Sequence, residues 1–284
     1  MNLATRDGFG DALIQNPHNI FVIGADLAKA TKTDKFKELY PKQYLDVGIA
    51  EANMVGIASG MSEYGLRVVI SSFASFLTGR YDIIRCSLSY PNNPTLIVGT
   101  HAGMAIGKDG VTQMGLEDIS LMRSLPNMSI YQPSTYKQAV YWTKYLLQHN
   151  ILAYLRLGRQ PVIEMYNKDN FNNYEKIISG NKKVIIQSGC LLEQCQTVAK
   201  QLQLDLIDVC RIKPLNIDLS MYDQVFTVED HSVIGGLGDA IKECHNNVIK
   251  IGVHGFPESG NPNDLYKKYK LDTLGILEQV QLYV

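Results

Sequence analysis

Glu51 is the residue with the clearest chemical promise in this sequence. It stands in DVGIAEANMVGIASGMSEYG, where the apolar spacing predicts a helix over about Ala50 to Tyr64. Met54, Ile57, Ala58 and Met61 fall on one face of it, and Gly56, Ser59 and Gly60 are small enough for close packing. A carboxylate in the first helical turn is ordinarily a solvated partner of the helix dipole. One shielded from water at the end of a buried strand can instead bind a protonated ring nitrogen and work in acid–base chemistry. His101 closes the apolar run TLIVGTH, and open α/β sheets bind ligands beyond the carboxyl ends of their strands; taken alone, a histidine there is an ordinary structural residue. Arg156, in AYLRLGR, places a charge within an apolar strand and so requires a partner. Arg6 on its own reads as a solvated terminal charge. Phe73 and Phe76 in SSFASF are either a core pair or a stacking wall. Asp26 after IGA is equally a turn residue or a site carboxylate.

These residues need elements to hold them. Short β-rich runs (NIFVIGAD, RVVISSF, TLIVGTHAG, MSIYQP, ILAYLRLGR) alternate with helical patterns at Glu51 to Tyr64, Arg80 to Tyr90 and Leu116 to Arg123. Such alternation predicts an α/β fold with a mostly parallel sheet covered on both faces. The polar stretch MYNKDNFNNYEK breaks the pattern and reads as a linker. Beyond it KKVIIQSG, LDLIDVCRIKP, QVFTVEDH and NVIKIGV repeat the alternation with helices over Leu191 to Gln203 and Gly236 to Cys244. The expected organisation is two doubly wound domains, 1–164 and 180–284, joined by a linker at 165–179.

Composition narrows the function. The 284 residues carry a net charge of −1 with 45% apolar and 19% charged residues, which describes a globular protein without the electrostatic footprint of a nucleic-acid binder or a basic membrane-surface segment. No apolar run approaches a membrane span, and the start lacks the regions of a signal peptide, so the expectation is cytoplasmic. The five cysteines, Cys86, Cys190, Cys195, Cys210 and Cys244, contain no CxxC pair and read as reduced small hydrophobes rather than metal ligands.

Asp46 to Gly60 resembles the activating-glutamate segment of thiamine-diphosphate enzymes of the transketolase family, and the resemblance extends over about residues 3 to 284. It implies a pyrimidine-binding domain followed by a transketolase C-terminal domain. It further implies that Glu51 contacts N1′ of the cofactor's aminopyrimidine, with Phe73 and Phe76 forming the aromatic wall and Asp26, Arg80 and Tyr81 near the cofactor. On the substrate side it implies that His101, Arg6 and Arg156 hold the phosphate end of a sugar, His101 as part of the catalytic machinery, and that Asp109 and Gln113 read its hydroxyls. The GDG triplet that holds Mg²⁺ and diphosphate in this family is absent. The resemblance therefore implies a C-terminal subunit of a split transketolase, with no metal ligands of its own. Mg²⁺ and diphosphate ligands would come from a GDG-bearing N-terminal subunit in a heterotetramer with two of each chain.

Two departures bear on substrate. Gln113 stands where the family usually has a histidine, and it neither titrates near neutrality nor offers an imidazolium, although it can hydrogen-bond a hydroxyl. Ala30 replaces a serine that usually contacts phosphate. VFTVEDHSVIGGLGDAI resembles a C-terminal segment of the family and makes His231 structural. The leading expectation is transfer of a two-carbon ketol unit from a phosphorylated ketose to an aldose. The alternatives are a 2-oxo-acid dehydrogenase beta subunit, a deoxyxylulose-phosphate synthase-like enzyme, and a non-catalytic regulatory paralogue.

Overall fold

The computed structural model describes residues 2–284. The first half contributes β1 (Leu3–Ala4), β2 (Ile20–Gly24), β3 (Tyr44–Asp46), β4 (Arg67–Phe73), β5 (Thr95–Thr100), β6 (Ser129–Tyr131), β7 (Ala153–Arg156) and β8 (Pro161–Val162). The second half contributes β9 (Tyr174–Ile178), β10 (Lys183–Gln187), β11 (Asp205–Val209), β12 (Arg211–Lys213), β13 (Gln224–Ser232) and β14 (Val248–Val253). A seven-stranded sheet runs β12-β6-β7-β5-β4-β2-β3, a five-stranded sheet runs β14-β13-β10-β11-β9, and β1 pairs with β8 apart from both. Parallel pairing dominates both large sheets. Only β12 against β6 and β9 against β11 are antiparallel, as the α/β alternation of the sequence predicts.

The central strands are apolar on both faces because helices cover both. On one face Val68 and Ile70 of β4 pack with Met54, Val55 and Ala58 of the helix Glu51–Glu63. On the other, Val69, Leu96 and Val98 pack with Phe9 and Leu13 of the helix Thr5–Gln15 and with Trp142 and Leu146 of the helix Tyr136–Gln148. Those two helices approach closely at Gly8, where a Cβ would lie 2.7 Å from the Tyr136 carbonyl oxygen. The loop after β5 behaves differently: Met104, Ala105, Ile106, Met114 and Leu116 are buried in the core of the C-terminal sheet, among Phe226, Val228 and Leu265.

Three details depart from the sequence reading. LDLIDVCRIKP is not one strand of the second domain. Asp205–Val209 belongs to the C-terminal sheet and Arg211–Lys213 crosses to the edge of the N-terminal one, because Gln132 N–H donates to the Cys210 carbonyl (2.8 Å) and turns the chain between the sheets. Tyr174–Ile178, inside the stretch read as linker, is an edge strand against β11. The expected close packing at Gly56 and Gly60 is not made by this chain, since a Cβ at either position would meet nothing within 4 Å.

Candidate active site

Glu51 is the first residue of its helix and is buried. Ser72 Oγ donates to its Oε1 at 3.0 Å, while Oε2 accepts no hydrogen bond among the described residues. Glu51 lines an open pocket with Ile49, Ser75, Phe76, Gly79 and Arg80. A carboxylate with one oxygen fixed and the other open beside an aromatic side chain fits the aminopyrimidine of thiamine diphosphate, because that ring offers an N–H donor and a face for stacking. Ser72 can hold Oε1 because strand alternation puts Val68, Ile70 and Ser72 on the face that meets the Glu51 helix.

The expected aromatic pair divides its work. Phe76 lines the pocket, and Phe73 stacks on Phe76 with ring centroids 5.2 Å apart. Phe73 also stacks on the His101 imidazole, with centroids 3.9 Å apart. Arg80 is exposed at the pocket edge, where its Nη1 donates to the Gly79 carbonyl at 3.0 Å. Tyr81 is turned away: its hydroxyl bonds Ser124 Oγ at 2.8 Å and its ring packs on the core, so the anticipated cofactor contact is corrected to a structural one. Asp26 lies exposed at the end of β2 with φ +60°, and its N–H donates to Asp46 Oδ1 at 2.9 Å. Burial works against the Asp46 charge, but the N–H groups of Asp26 and Gly48 together with Lys37 outweigh it and hold that carboxyl below its usual range.

His101 ends β5 in the left-handed region, φ +55°. Arg6 Nη1 lies 2.8 Å from its Nε2, and Thr100 Oγ1 lies 2.9 Å from its Nδ1. An arginine has only donors to offer, so Nε2 accepts and the proton sits on Nδ1, where it is donated to Thr100. Thr100 in turn donates to the Ser72 carbonyl at 3.4 Å. Burial, then Arg6, Arg159 and Lys32, push the His101 pKa down to about 3, so the imidazole is neutral at physiological pH. Arg6 is itself depressed by burial, with Arg159 adding to the effect against Asp7. Its Nη1 also donates to the Ala30 carbonyl at 3.0 Å, and its buried Nε donates to nothing among the described residues. Unspent donors on a concentrated positive charge suit an anion.

Arg156 was expected to join this cluster as a phosphate ligand, and the structure corrects that. Its Nε donates to Asp118 Oδ2 at 2.8 Å, its Nη1 to Asp230 Oδ1 at 2.7 Å and its Nη2 to the Gly115 carbonyl at 3.0 Å, all buried. Burial alone would lower its pKa; the two carboxylates outweigh that and raise it. The arginine that acts on His101 and Arg6 is Arg159, just beyond the end of β7, whose Nη1 donates to Asp109 Oδ2 at 2.8 Å and to the Ile106 carbonyl at 3.3 Å. Both side chains of this pair are partly exposed. Gln113 is half-buried in the same loop, and its carbonyl accepts from Ser75 Oγ at 3.1 Å. Sequence reasoning thus missed Ser72, Thr100 and Arg159. Strand alternation carried a signal for the first, and a charge just past a strand's carboxyl end carried one for the last.

Comparisons with known proteins identify the family. The transketolase pyrimidine-binding domain matches residues 1–168 and the transketolase C-terminal domain matches residues 173–276. An apulose-4-phosphate transketolase subunit from Phocaeicola vulgatus is 27% identical, covering 99% of this chain and 98% of that one. Transketolase-like protein 1 from Bos taurus is 32% identical over 98% of this chain, but the match spans only 51% of the bovine protein. A solved structure described as a split gene transketolase, inactive beta4 tetramer, superposes with a TM-score of 0.88 at 33% identity, covering 99% of this chain and 98% of that chain. The chain belongs to the transketolase family and corresponds to the C-terminal subunit of a split transketolase.

Proposed function

We propose that this chain activates thiamine diphosphate within a two-subunit transketolase that moves a two-carbon ketol unit from an anionic ketose to an aldose acceptor. The observation that carries the reading is Glu51: a buried carboxylate at a helix start, one oxygen held by Ser72 and the other without a partner among the described residues, in a pocket it shares with Phe76. Bound thiamine diphosphate supplies the electron sink for breaking and making the bond next to a carbonyl. Glu51 accepts the hydrogen bond of the ring's N1′ and holds that proton in place, and the Phe76 side chain shields the ring from water. Arg6, with its unspent Nε, and Arg159 take the anionic end of the sugar, while the neutral His101, Asp109 and Gln113 read its hydroxyls. Mg²⁺ and the diphosphate fall to an N-terminal subunit carrying the GDG motif, in a cytoplasmic heterotetramer with two of each chain, the domains dividing at 1–164, 165–179 and 180–284.

The names of two relatives support the anionic donor. The apulose-4-phosphate transketolase subunit and a 6-deoxy-6-sulfo-D-fructose transketolase subunit, 27% and 29% identical, differ in sugar and share a terminal anion. The test is ketol transfer from a panel of phosphoketoses and sulfoketoses by the co-expressed pair. The expected result is activity that needs both chains and falls at least about 100-fold in Glu51→Gln, the scale of removing a positioned acid–base group. Activity of this chain alone, or an undiminished Glu51→Gln enzyme, overturns the reading.

A further inference from the structure

Two consecutive serines stand near the carboxyl end of β4, both fully buried, and they live in opposite circumstances. Ser71 Oγ has no hydrogen-bond partner among the described residues. Ser72 Oγ donates to Glu51 Oε1 at 3.0 Å. The register of β4 against β5 sets Phe73 opposite Thr100, and the Thr100 hydroxyl donates back to the Ser72 carbonyl at 3.4 Å while receiving His101 Nδ1–H. Ser72 is thus held from both sides, its backbone by the residue that fixes the histidine and its hydroxyl on the glutamate.

From this we infer that Ser72 is a positioning residue for Glu51, and that its hydroxyl selects which carboxylate oxygen faces the cofactor. The inference rests on the proposed thiamine role of Glu51. A carboxylate attached through three rotatable bonds can present either oxygen in several orientations. A donor fixed on Oε1 removes that freedom and leaves Oε2, which accepts no hydrogen bond among the described residues, to meet a ring nitrogen. Arg80 is the other charged side chain that lines the pocket with Glu51.

The test compares Ser72→Ala, Ser72→Thr and Ser71→Ala in the assembled pair, measuring the affinity for thiamine diphosphate and for its 1′-deaza analogue, which lacks the ring nitrogen. The wild-type pair should prefer the natural cofactor. Ser72→Ala should lose about tenfold of that preference, the weight of one hydrogen bond to a charged group; Ser72→Thr should restore it, and Ser71→Ala should leave it intact. A merely structural role would weaken both ligands alike. If Glu51→Gln destroys the preference and Ser72→Ala keeps it, the inference is overturned and the role of Glu51 stands. If neither matters, the thiamine reading itself falls. Isotope-edited infrared spectra of this chain alone, with the Glu51→Gln spectrum subtracted, give a second reading: the Glu51 carboxylate bands should shift in Ser72→Ala and not in Ser71→Ala. Unshifted bands overturn the inference whether or not a pair assembles.

Discussion

Arg6 donates directly into the imidazole of His101, Nη1 to Nε2 at 2.8 Å, so the histidine at the end of β5 is an acceptor toward the site and a donor toward its own strand. That polarity follows from the arginine having no lone pair to offer, and it fixes how the site responds to acid.

His101 has a folded pKa of about 3 against an ordinary 6.5. The folded chain therefore leaves the site unprotonated where the unfolded chain would protonate it. Stability tied to the neutral ring is fully present above pH 6.5 and is lost as pH falls toward 3, with a slope of up to about 1.4 kcal/mol per pH unit. His101→Gln should flatten urea-derived stability between pH 6.5 and 4 relative to wild type. Nitrogen-15 spectra should show the Nδ1–H tautomer unchanged from pH 8 to 5; a ring that titrates near 6.5 contradicts the arrangement.

Arg156 is predicted to be a stability residue. Arg156→Met leaves Asp118 and Asp230 buried without their counter-charge, a loss of about 3–5 kcal/mol. The urea midpoint should fall with little change in slope. Asp230 is held below its ordinary range by Arg156 despite its burial. Stability from that carboxylate is present above its unfolded pKa and lost below it, so the deficit of the variant should shrink as pH drops below about 4.

Arg6→Ala and Arg159→Ala should instead leave stability near wild type and act on substrate. Each removes charged donors from the anion end of the site, so KM for a phosphorylated ketose should rise about 10- to 100-fold, the range for a charge-assisted hydrogen bond. A ketose without the anion should show little change. Equal effects on both donors would place these arginines outside the anion site.

Gly103, in the loop between His101 and the C-terminal core, has φ +80°, and a Cβ there would run into Asp230 Oδ2. Gly103→Ala should cost at least about 1–3 kcal/mol from backbone strain and should displace Asp230 from Arg156. Thermal unfolding measures the first effect, and non-additivity with Arg156→Met measures the second.

Much of the site was legible because it obeys local rules. The helix spacing around Glu51, the strand end at His101 and the aromatic pair at Phe73 and Phe76 each occupy a few consecutive turns or alternations. Arg156 shows where such legibility stops. That a charge in an apolar strand needs a partner was sound physics, but its partners Asp118 and Asp230 lie 38 and 74 residues away, and no spacing records that. Arg159, past the end of β7, is the arginine whose charge acts on Arg6 and His101. Likewise β12 returns to the N-terminal sheet across a hydrogen bond between Gln132 and Cys210, a pairing decided by tertiary packing alone. Tyr81 satisfied its hydroxyl on Ser124, again a partner remote in sequence.

The buried Arg156 cluster has a mechanical consequence. Asp118 belongs to the helix Asp118–Arg123 beside the N-terminal sheet and Asp230 to β13 of the C-terminal sheet, so one guanidinium rivets the two halves together. Opening them like a hinge would part Asp230 from Arg156, while Asp118, in the same half as Arg156, would keep its partner. Any separation of the halves therefore works against a buried ion pair as well as against their apolar contacts.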